Sequence, residues 1–217
     1  MENMISEVVF ILDRSGSMYG LEKDTIGGYN SFLQKQKEDG AQKFITTVLF
    51  NDSISVIHKR APIQRVADLT EKDYVPGGCT ALLDAVGETI EEIARKQETW
   101  DEKKPDSTVV VIITDGMENS SAKYSYPEIK RMISAKREEG WKFVFLGANI
   151  DAPEVGERLG IRRGLSKNYH ADSIGTNVNF EAVSSMVSRM SCMRMEEEDM
   201  EADLGSIDLD FFSRSEK

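Results

Sequence analysis

Three oxygen-bearing side chains stand at alternate positions directly after an apolar run near the start of the chain. In the stretch FILDRSGSM, Asp13, Ser15 and Ser17 are each separated by one residue. A turn needs about one such side chain, whereas three at this spacing form a set of carboxylate and hydroxyl oxygens. Hard oxygen ligands of this kind are the ones that Mg²⁺ prefers. The alternative for this motif alone is a capped turn before a helix.

Two further polar loops follow the same pattern. Asp115 lies two residues after the end of a predicted strand, and the loop YVPGGCTALLDA reaches Thr80 just before a predicted helix. Side chains at the carboxyl ends of neighbouring parallel strands meet at one edge of the sheet. If the first and fourth strands are neighbours, the sequence predicts one site of five side chains: Asp13, Ser15, Ser17, Thr80 and Asp115. The set suits Mg²⁺, with Mn²⁺ and Ca²⁺ as alternatives.

The elements that must position these loops alternate along the chain. The predicted strands are Ile5–Leu12, Phe44–Phe50, Ile54–His58, Ser107–Ile113, Lys142–Leu146 and Lys167–His170. The predicted helices are Leu21–Lys37, Ala81–Lys96, Pro127–Glu139, Asp151–Leu159 and Phe180–Met193. Alternating strands and helices predict an α/β domain with a mostly parallel sheet. Because Ile54–His58 directly follows an NDS turn, it predicts a hairpin edge strand.

Charge is distributed unevenly over the 217 residues, whose net charge is −11. Residues 194–217 hold nine acids and three bases, a net of −6, which leaves −5 for residues 1–193. We therefore interpret 1–193 as one domain and 194–217 as an acidic-hydrophobic tail. The run Glu196–Asp199 is typical of a solvated segment.

The end of the tail mixes apolar and acidic residues, namely Ile207, Asp208, Leu209, Asp210, Phe211 and Phe212. Such a segment can dock into a groove or pair along a sheet edge, and it supports possible self-association. Asp208 or Asp210 could also reach the metal of a neighbouring copy.

Composition excludes several classes of function. The negative net charge argues against nucleic acid and anionic membranes as partners, and no apolar stretch approaches the length of a membrane span. The opening MENMISE lacks the basic residues of a signal peptide. Cys79 and Cys192 lack metal-ligand spacing, so we expect reduced thiols in a cytoplasmic protein. We expect Cys79 to be a small buried residue of its loop, and Cys192 to fill space in the core or near the surface on the last apolar helix.

Three motifs in this order, DRSGS, GGCTALLDA and ITDG, resemble the von Willebrand factor type A (vWA) family and its metal-ion-dependent adhesion site. The resemblance covers about residues 4–193. It implies a Rossmann-like, doubly wound sheet of six strands with one antiparallel edge strand and helices on both faces. It also implies that Ser15, Ser17 and Thr80 bind metal directly or in alternate states, and that Asp13 and Asp115 bind directly or through water. Lacking secretion features, the chain resembles the intracellular single-domain members of bacterial or phage type.

The function that follows is a metal-dependent protein-interaction module. An Asp or Glu of a partner protein would occupy the open position on the metal, and selectivity would come from residues 18–21, 74–79 and 117–125. One alternative is a self-associating assembly protein that uses its tail. Another is a metal-dependent enzyme acting on phosphate or carboxylate substrates.

Sequence features disfavour the enzyme. RSGSM is not a G-x-S-x-G nucleophile elbow, no phosphate-binding G-x-x-x-x-G-K motif is present, and His58 and His170 are the only histidine bases. His58 is expected on the edge strand, away from the site. We therefore expect no catalytic residues.

Overall fold

The computed structural model describes the backbone of residues 4–99, 104–193 and 195–214, and the side chains of these ranges up to residue 205. Its strands are β1 Ser6–Asp13, β2 Lys43–Phe50, β3 Ile54–Pro62, β4 Ser107–Thr114, β5 Lys142–Gly147 and β6 Ser166–Asn168. They form one sheet in the order β3-β2-β1-β4-β5-β6. Strand β3 runs antiparallel to β2, and all other neighbouring pairs are parallel. The predicted α/β fold class, with one antiparallel edge strand, is confirmed.

Helices surround this sheet. Their bounds are α1 Glu22–Glu38, α2 Leu82–Thr99, α3 Tyr126–Glu138, α4 Ala152–Leu159, α5 Ser173–Cys192 and α6 Glu197–Arg214. Helix α5 begins seven residues before its predicted start, because Asp172 caps it by accepting a hydrogen bond from the Gly175 backbone. In the described ranges, no helix is long and apolar enough to cross a membrane.

Strands β1 and β4 lie side by side at the centre of the sheet. All residues of β1 are buried, which explains its nearly continuous apolar sequence. Leu12 pairs with Ile113, so Asp13 and Thr114 follow at the same carboxyl edge. The winding of the sheet reverses between these two strands, which is where open α/β sheets place their ligand sites.

The aromatic core beneath this edge fixes α1 and α5 against β1. The Phe10 ring makes edge-to-face contacts with Tyr29 and Phe32 at centroid distances of 5.3 and 4.8 Å, and Phe180 of α5 lies 6.3 Å away. Such contacts add to the free energy gained by burying the rings. The start of α1, which follows the predicted metal loop, is thereby anchored to the sheet.

In the acidic run Glu196–Asp199 at the start of α6, Glu196, Glu198 and Asp199 are exposed, as the sequence predicts, whereas Glu197 is largely covered. Glu197 accepts two hydrogen bonds of 2.8 Å from the Arg137 guanidinium, and its Oε2 lies 2.7 Å from Arg162 Nε. These contacts lower the pKa of Glu197, with the Arg137 hydrogen bonds as the main cause. Met200 and Leu204, further along α6, are buried in the core. Glu197 and the two buried residues that follow it therefore hold the start of α6 against the rest of the chain.

The boundary between a domain and a tail at 193/194 stays a prediction. The backbone of α6 is helical to Arg214, so the described conformation is not a strand paired along a sheet edge. The side chains at 207–212, which carry the predicted docking function, lie outside the described residues.

The expectation for Cys79 is wrong, because this side chain is exposed. Cys192 is exposed as well, and both are free thiols. Cys79 therefore does not pack its loop; the loop is held by backbone hydrogen bonds described below.

The adjacent glycines of α1 provide a test of the α1–α5 packing. A Cβ on Gly28 would lie 2.3 Å from Cδ2 of Phe180, whereas a Cβ on Gly27 would meet nothing within 4 Å. Gly28→Ala is expected to destabilise the chain by about 1–3 kcal/mol through overpacking. Gly27→Ala is the matched control and should be neutral or stabilising by up to about 1 kcal/mol. Denaturant unfolding measures both, and equal effects would contradict the described helix contact.

Candidate metal centre

The five side chains singled out in the sequence come together at the carboxyl edge of β1 and β4. The Thr114 hydroxyl donates a hydrogen bond of 2.5 Å to Oδ2 of Asp13. The Ser17 hydroxyl donates one of 2.5 Å to Oδ1 of Asp115, across 98 residues of sequence. These two bonds join the loop after β1 to the end of β4, as the spacing of the motifs predicts.

The three hydroxyl groups of the set face one small space beside Gly116. Ser15 Oγ and Ser17 Oγ lie 3.0 Å apart. A Cβ on Gly116 would lie 3.0 Å from Ser17 Oγ, 3.4 Å from Thr80 Oγ1 and 3.9 Å from Ser15 Oγ. A side chain at position 116 would fill this space, so glycine keeps it open. The geometry is that of a cradle lined by neutral oxygens.

Backbone hydrogen bonds hold the three loops in register. Gly16 N donates to Gly78 O at 3.1 Å, and Gly77 N donates to Arg14 O at 2.9 Å. Gly78 has a φ of +76°, and a Cβ there would lie 2.8 Å from Oδ1 of Asp52. Only glycine suits that position, so the GG pair allows the Thr80 loop to approach the Asp13 loop.

The structure also reveals supporting residues that sequence reasoning missed. Tyr74 donates its hydroxyl hydrogen bond to the backbone oxygen of Asp13. Asn119 Oδ1 accepts from Thr80 N at 2.9 Å, and Asn119 N donates to Thr80 O at 3.0 Å. Glu118 accepts from Leu83 N at 3.0 Å, at the start of α2. Tyr74, Glu118 and Asn119 belong to the segments 74–79 and 117–125 that were expected to select a partner, yet their side chains bond to the protein itself. Thr114 directly precedes Asp115 in the sequence.

Burial perturbs both carboxyl groups of the site. Asp13 is fully buried, and burial raises its pKa from 3.8 to about 6, although hydrogen bonds from Thr114 and Ser15 oppose the shift and the charge of Asp115 adds to it. Burial likewise raises the pKa of Asp115, opposed by the Ser17 hydrogen bond. In the part of the chain that the structure describes, neither carboxylate forms an ion pair. The site thus holds negative charge that a cation would neutralise.

The chemistry of the donor set fits a hard divalent cation. Two carboxylates and three hydroxyls offer oxygen ligands of the kind that Mg²⁺, Mn²⁺ and Ca²⁺ bind. The described residues contain no group of three or more His, Cys, Asp or Glu side chains placed to hold a metal. A metal at this site would therefore depend on its hydroxyl ligands as much as on its carboxylates.

Solved structures share this architecture. The vWF domain of the type V pili tip protein Mfa5 from Porphyromonas gingivalis matches with a TM-score of 0.64 and 10% identity, over 90% of this chain and 99% of that one. The proximal thread matrix protein 1 from the mussel byssus, with a zinc-occupied MIDAS motif, matches with a TM-score of 0.58 and 15% identity, over 86% and 46%. The chain has the fold of von Willebrand factor type A domains.

The PilB minor pilin from Streptococcus sanguinis is a further solved structure with a similar fold. It matches with a TM-score of 0.61 and 14% identity, over 87% of this chain. This chain spans only 62% of that pilin and 46% of the mussel protein. No protein-family profile and no curated protein matches the sequence. At these identities the comparisons establish the fold, and metal binding at the five residues stays a prediction.

Mg²⁺ titration of the metal-free protein tests the ligand set. Calorimetry is expected to show binding heat for the wild type and none for Ser15→Ala/Ser17→Ala, because the double variant loses two of the five oxygens. Ser31→Ala, which removes an exposed hydroxyl on α1, is the matched control and should bind as the wild type does. Equal heats for the wild type and the double variant would show that these hydroxyls are not ligands.

The raised pKa of Asp13 predicts how metal-free stability depends on pH. Because the folded pKa lies near about 6 and the ordinary value is 3.8, the stability contribution of the neutral carboxyl is full below about pH 4 and is lost as pH rises through about 6. The difference corresponds to about 3 kcal/mol.

Asp13→Asn removes that titration while keeping the size of the side chain. In EDTA, the unfolding free energy of the wild type relative to Asp13→Asn is expected to rise as pH falls from 7 to about 4.5. Denaturant unfolding at each pH measures this difference. The contributions of the other titrating groups are the same in both proteins, so they cancel. A difference that stays constant with pH would contradict the raised pKa.

Proposed function

We propose that this chain is a vWA-family domain that binds a partner protein through a divalent cation, with an Asp or Glu of the partner completing the coordination. The observation that carries the proposal is the convergence of two buried carboxylates and three hydroxyls on one space without an ion-pair partner in the described chain. A carboxylate that stays buried and unpaired is costly, and a bound cation offsets this cost.

The five residues would have different roles at this centre. Ser15, Ser17 and Thr80 would hold the metal directly or in alternate states, and Asp13 and Asp115 would hold it directly or through water. When bound, the cation supplies positive charge for an anionic ligand. Because the hydroxyls are neutral, the two carboxylates at most offset the charge of the ion, so it keeps its attraction for a further carboxylate.

The comparisons support the proposal without testing it. Several proteins of the same fold are pilins or pilus adhesins, and one is a byssus protein with zinc in its MIDAS motif. Adhesion is a function of contact between macromolecules. Mg²⁺ is the cation that the oxygen-only set favours, with Mn²⁺ and Ca²⁺ as alternatives.

A hydrolytic function has weaker support. His58, on β3, lies within hydrogen-bond distance of Thr47 and Tyr29 rather than of the site hydroxyls, as the sequence predicted. We therefore propose a non-enzymatic role. For the self-assembling alternative, the described part of α6 packs on its own chain, with Met200 and Leu204 buried in the core.

Water-proton relaxation with Mn²⁺ tests the open position on the metal. Bound Mn²⁺ relaxes the water that exchanges on it, and a carboxylate that displaces this water lowers the effect. The probe is N-acetyl-aspartate methylamide, and its matched control is N-acetyl-asparagine methylamide. We expect relaxation enhancement with the wild type, a decrease on adding the Asp probe and no change with the Asn probe.

Asp115→Asn should abolish the enhancement, because it removes one of the two charges that attract the cation. Enhancement that the Asp probe leaves unchanged would show a metal without a position for an outside carboxylate. That result would overturn the interaction function while leaving metal binding in place. Absence of enhancement in the wild type would overturn both.

A further inference from the structure

A cavity of about 620 Å³ opens at the same edge of the sheet as the metal centre. Its walls come from the ends of β5 and β6, from one face of α5, from Leu204 of α6 and from Met117. Met117 follows Asp115 by two residues, so the loop that carries a predicted metal ligand also borders the cavity. A volume of several hundred Å³ accommodates a large side chain together with its backbone.

The walls are mainly apolar. Leu146, Ile150, Val178 and Ala182 line them. Asn179 lines the cavity as well; it is 8% exposed, and its side-chain nitrogen meets no acceptor among the described residues. Because this nitrogen has almost no accessible surface, the cavity offers a ligand chiefly its apolar walls, which suit a large apolar side chain.

The spacing of the strands sets the distance between the cavity and the metal centre. Neighbouring strands lie about 4.8 Å apart, so the ends of β5 and β6 lie about 5 and about 10 Å from the end of β4. In an extended segment, side chains two residues apart share one face and are separated by about 7 Å. The carboxylates of Asp115 and Asp13 also add to burial in raising the pKa of Tyr169, a cavity residue. The two sites are within reach of one short segment.

Exposed apolar side chains favour a protein over a free carboxylate as the ligand. Each of the three loops that carry the predicted ligands has one exposed apolar side chain. Tyr19 is 66% exposed, Val75 is 60% exposed and Met117 is 65% exposed. Apolar groups clustered around a polar centre are typical of protein-interaction surfaces. A small carboxylate would leave these groups in water.

We propose that the partner presents an extended segment in which an Asp or Glu binds the metal and a large apolar side chain two residues away enters this cavity. The inference rests on the proposed function and adds the chemistry of the partner to it. The metal supplies charge recognition that any carboxylate satisfies, whereas the cavity selects among acidic segments.

Three peptides test the proposal by calorimetry with the Mg²⁺-loaded full chain. They are acetyl-Phe-Gly-Asp-Gly-Phe-amide, the Ser-Gly-Asp-Gly-Ser counterpart and the Phe-Gly-Asn-Gly-Phe counterpart. Phe stands on both sides, so either chain direction can fill the cavity. We expect the Phe-Asp peptide to bind at least about tenfold tighter than the Ser-Asp peptide, because a buried Phe side chain contributes more than that ratio requires.

Substitutions in the cavity test whether the higher affinity of the Phe-Asp peptide arises there. Ala182→Phe fills the cavity from α5, so it should lower the affinity of the Phe-Asp peptide to that of the Ser-Asp peptide. The affinity of the Ser-Asp peptide should not change. Met117→Ser changes an exposed residue, so folding is not at issue, and it should lower the ratio of the two affinities by about threefold or more. Val56→Ser, which changes an exposed apolar residue on β3, is the matched control and should leave the ratio unaltered.

The outcomes separate this inference from the proposed function. If the Ser-Asp peptide binds in a Mg²⁺-dependent way and Phe brings no gain, the cavity inference is overturned and the proposed function stands. If the Phe-Asn peptide binds as well as the Phe-Asp peptide, or if EDTA leaves binding unchanged, the cavity binds independently of the metal and the coupling is overturned. If no peptide binds, the proposed function itself fails.

Discussion

The structure is organised around negative charge that is buried at the centre of a parallel sheet. Strands β1 and β4 must be neighbours and parallel for the Asp13 and Asp115 loops to meet at one edge. Burial raises the pKa of both carboxyl groups, so the fold bears an electrostatic cost at neutral pH. Short hydrogen bonds from Thr114 and Ser17 relieve part of that cost. The remainder is what a cation would neutralise, and stability and ligand binding are therefore coupled at this edge.

The loops that carry the hydroxyls depend on contacts made far away in sequence. Tyr74 reaches Asp13 over 61 residues, and Asn119 reaches Thr80 over 39. Glu118 stabilises the start of α2 and orders the loop after Asp115. Each loop is thus fixed by a side chain from another loop. These hydrogen bonds, rather than apolar packing, keep the three loops close to one another.

Much of this arrangement could be predicted because local pattern determines it. Nearly continuous apolar runs identify central strands, and oxygen-bearing residues at their ends identify the five candidate ligands. The supporting contacts could not be predicted, since Tyr74 and Asn119 belong to ordinary loop composition until the fold brings them to their partners. Glu197 could not be told apart from its exposed acidic neighbours for the same reason, because it pairs with Arg137, 60 residues earlier. The predicted start of α5 at Phe180 is too late, because the apolar residues repeat with a helical period only from Phe180 onward. Asp172 is nevertheless a recognisable N-cap residue.

The placement of α6 has a consequence for biosynthesis. Leu204 belongs to the hydrophobic core and to the wall of the cavity, and Glu197 neutralises Arg137 and Arg162. A nascent chain in which α6 is not yet in place lacks one wall of the cavity and leaves Arg137 and Arg162 without the carboxylate of Glu197. A chain truncated before Glu197 has the same defect. Completion of the surface beside the candidate metal centre is therefore tied to the placement of α6.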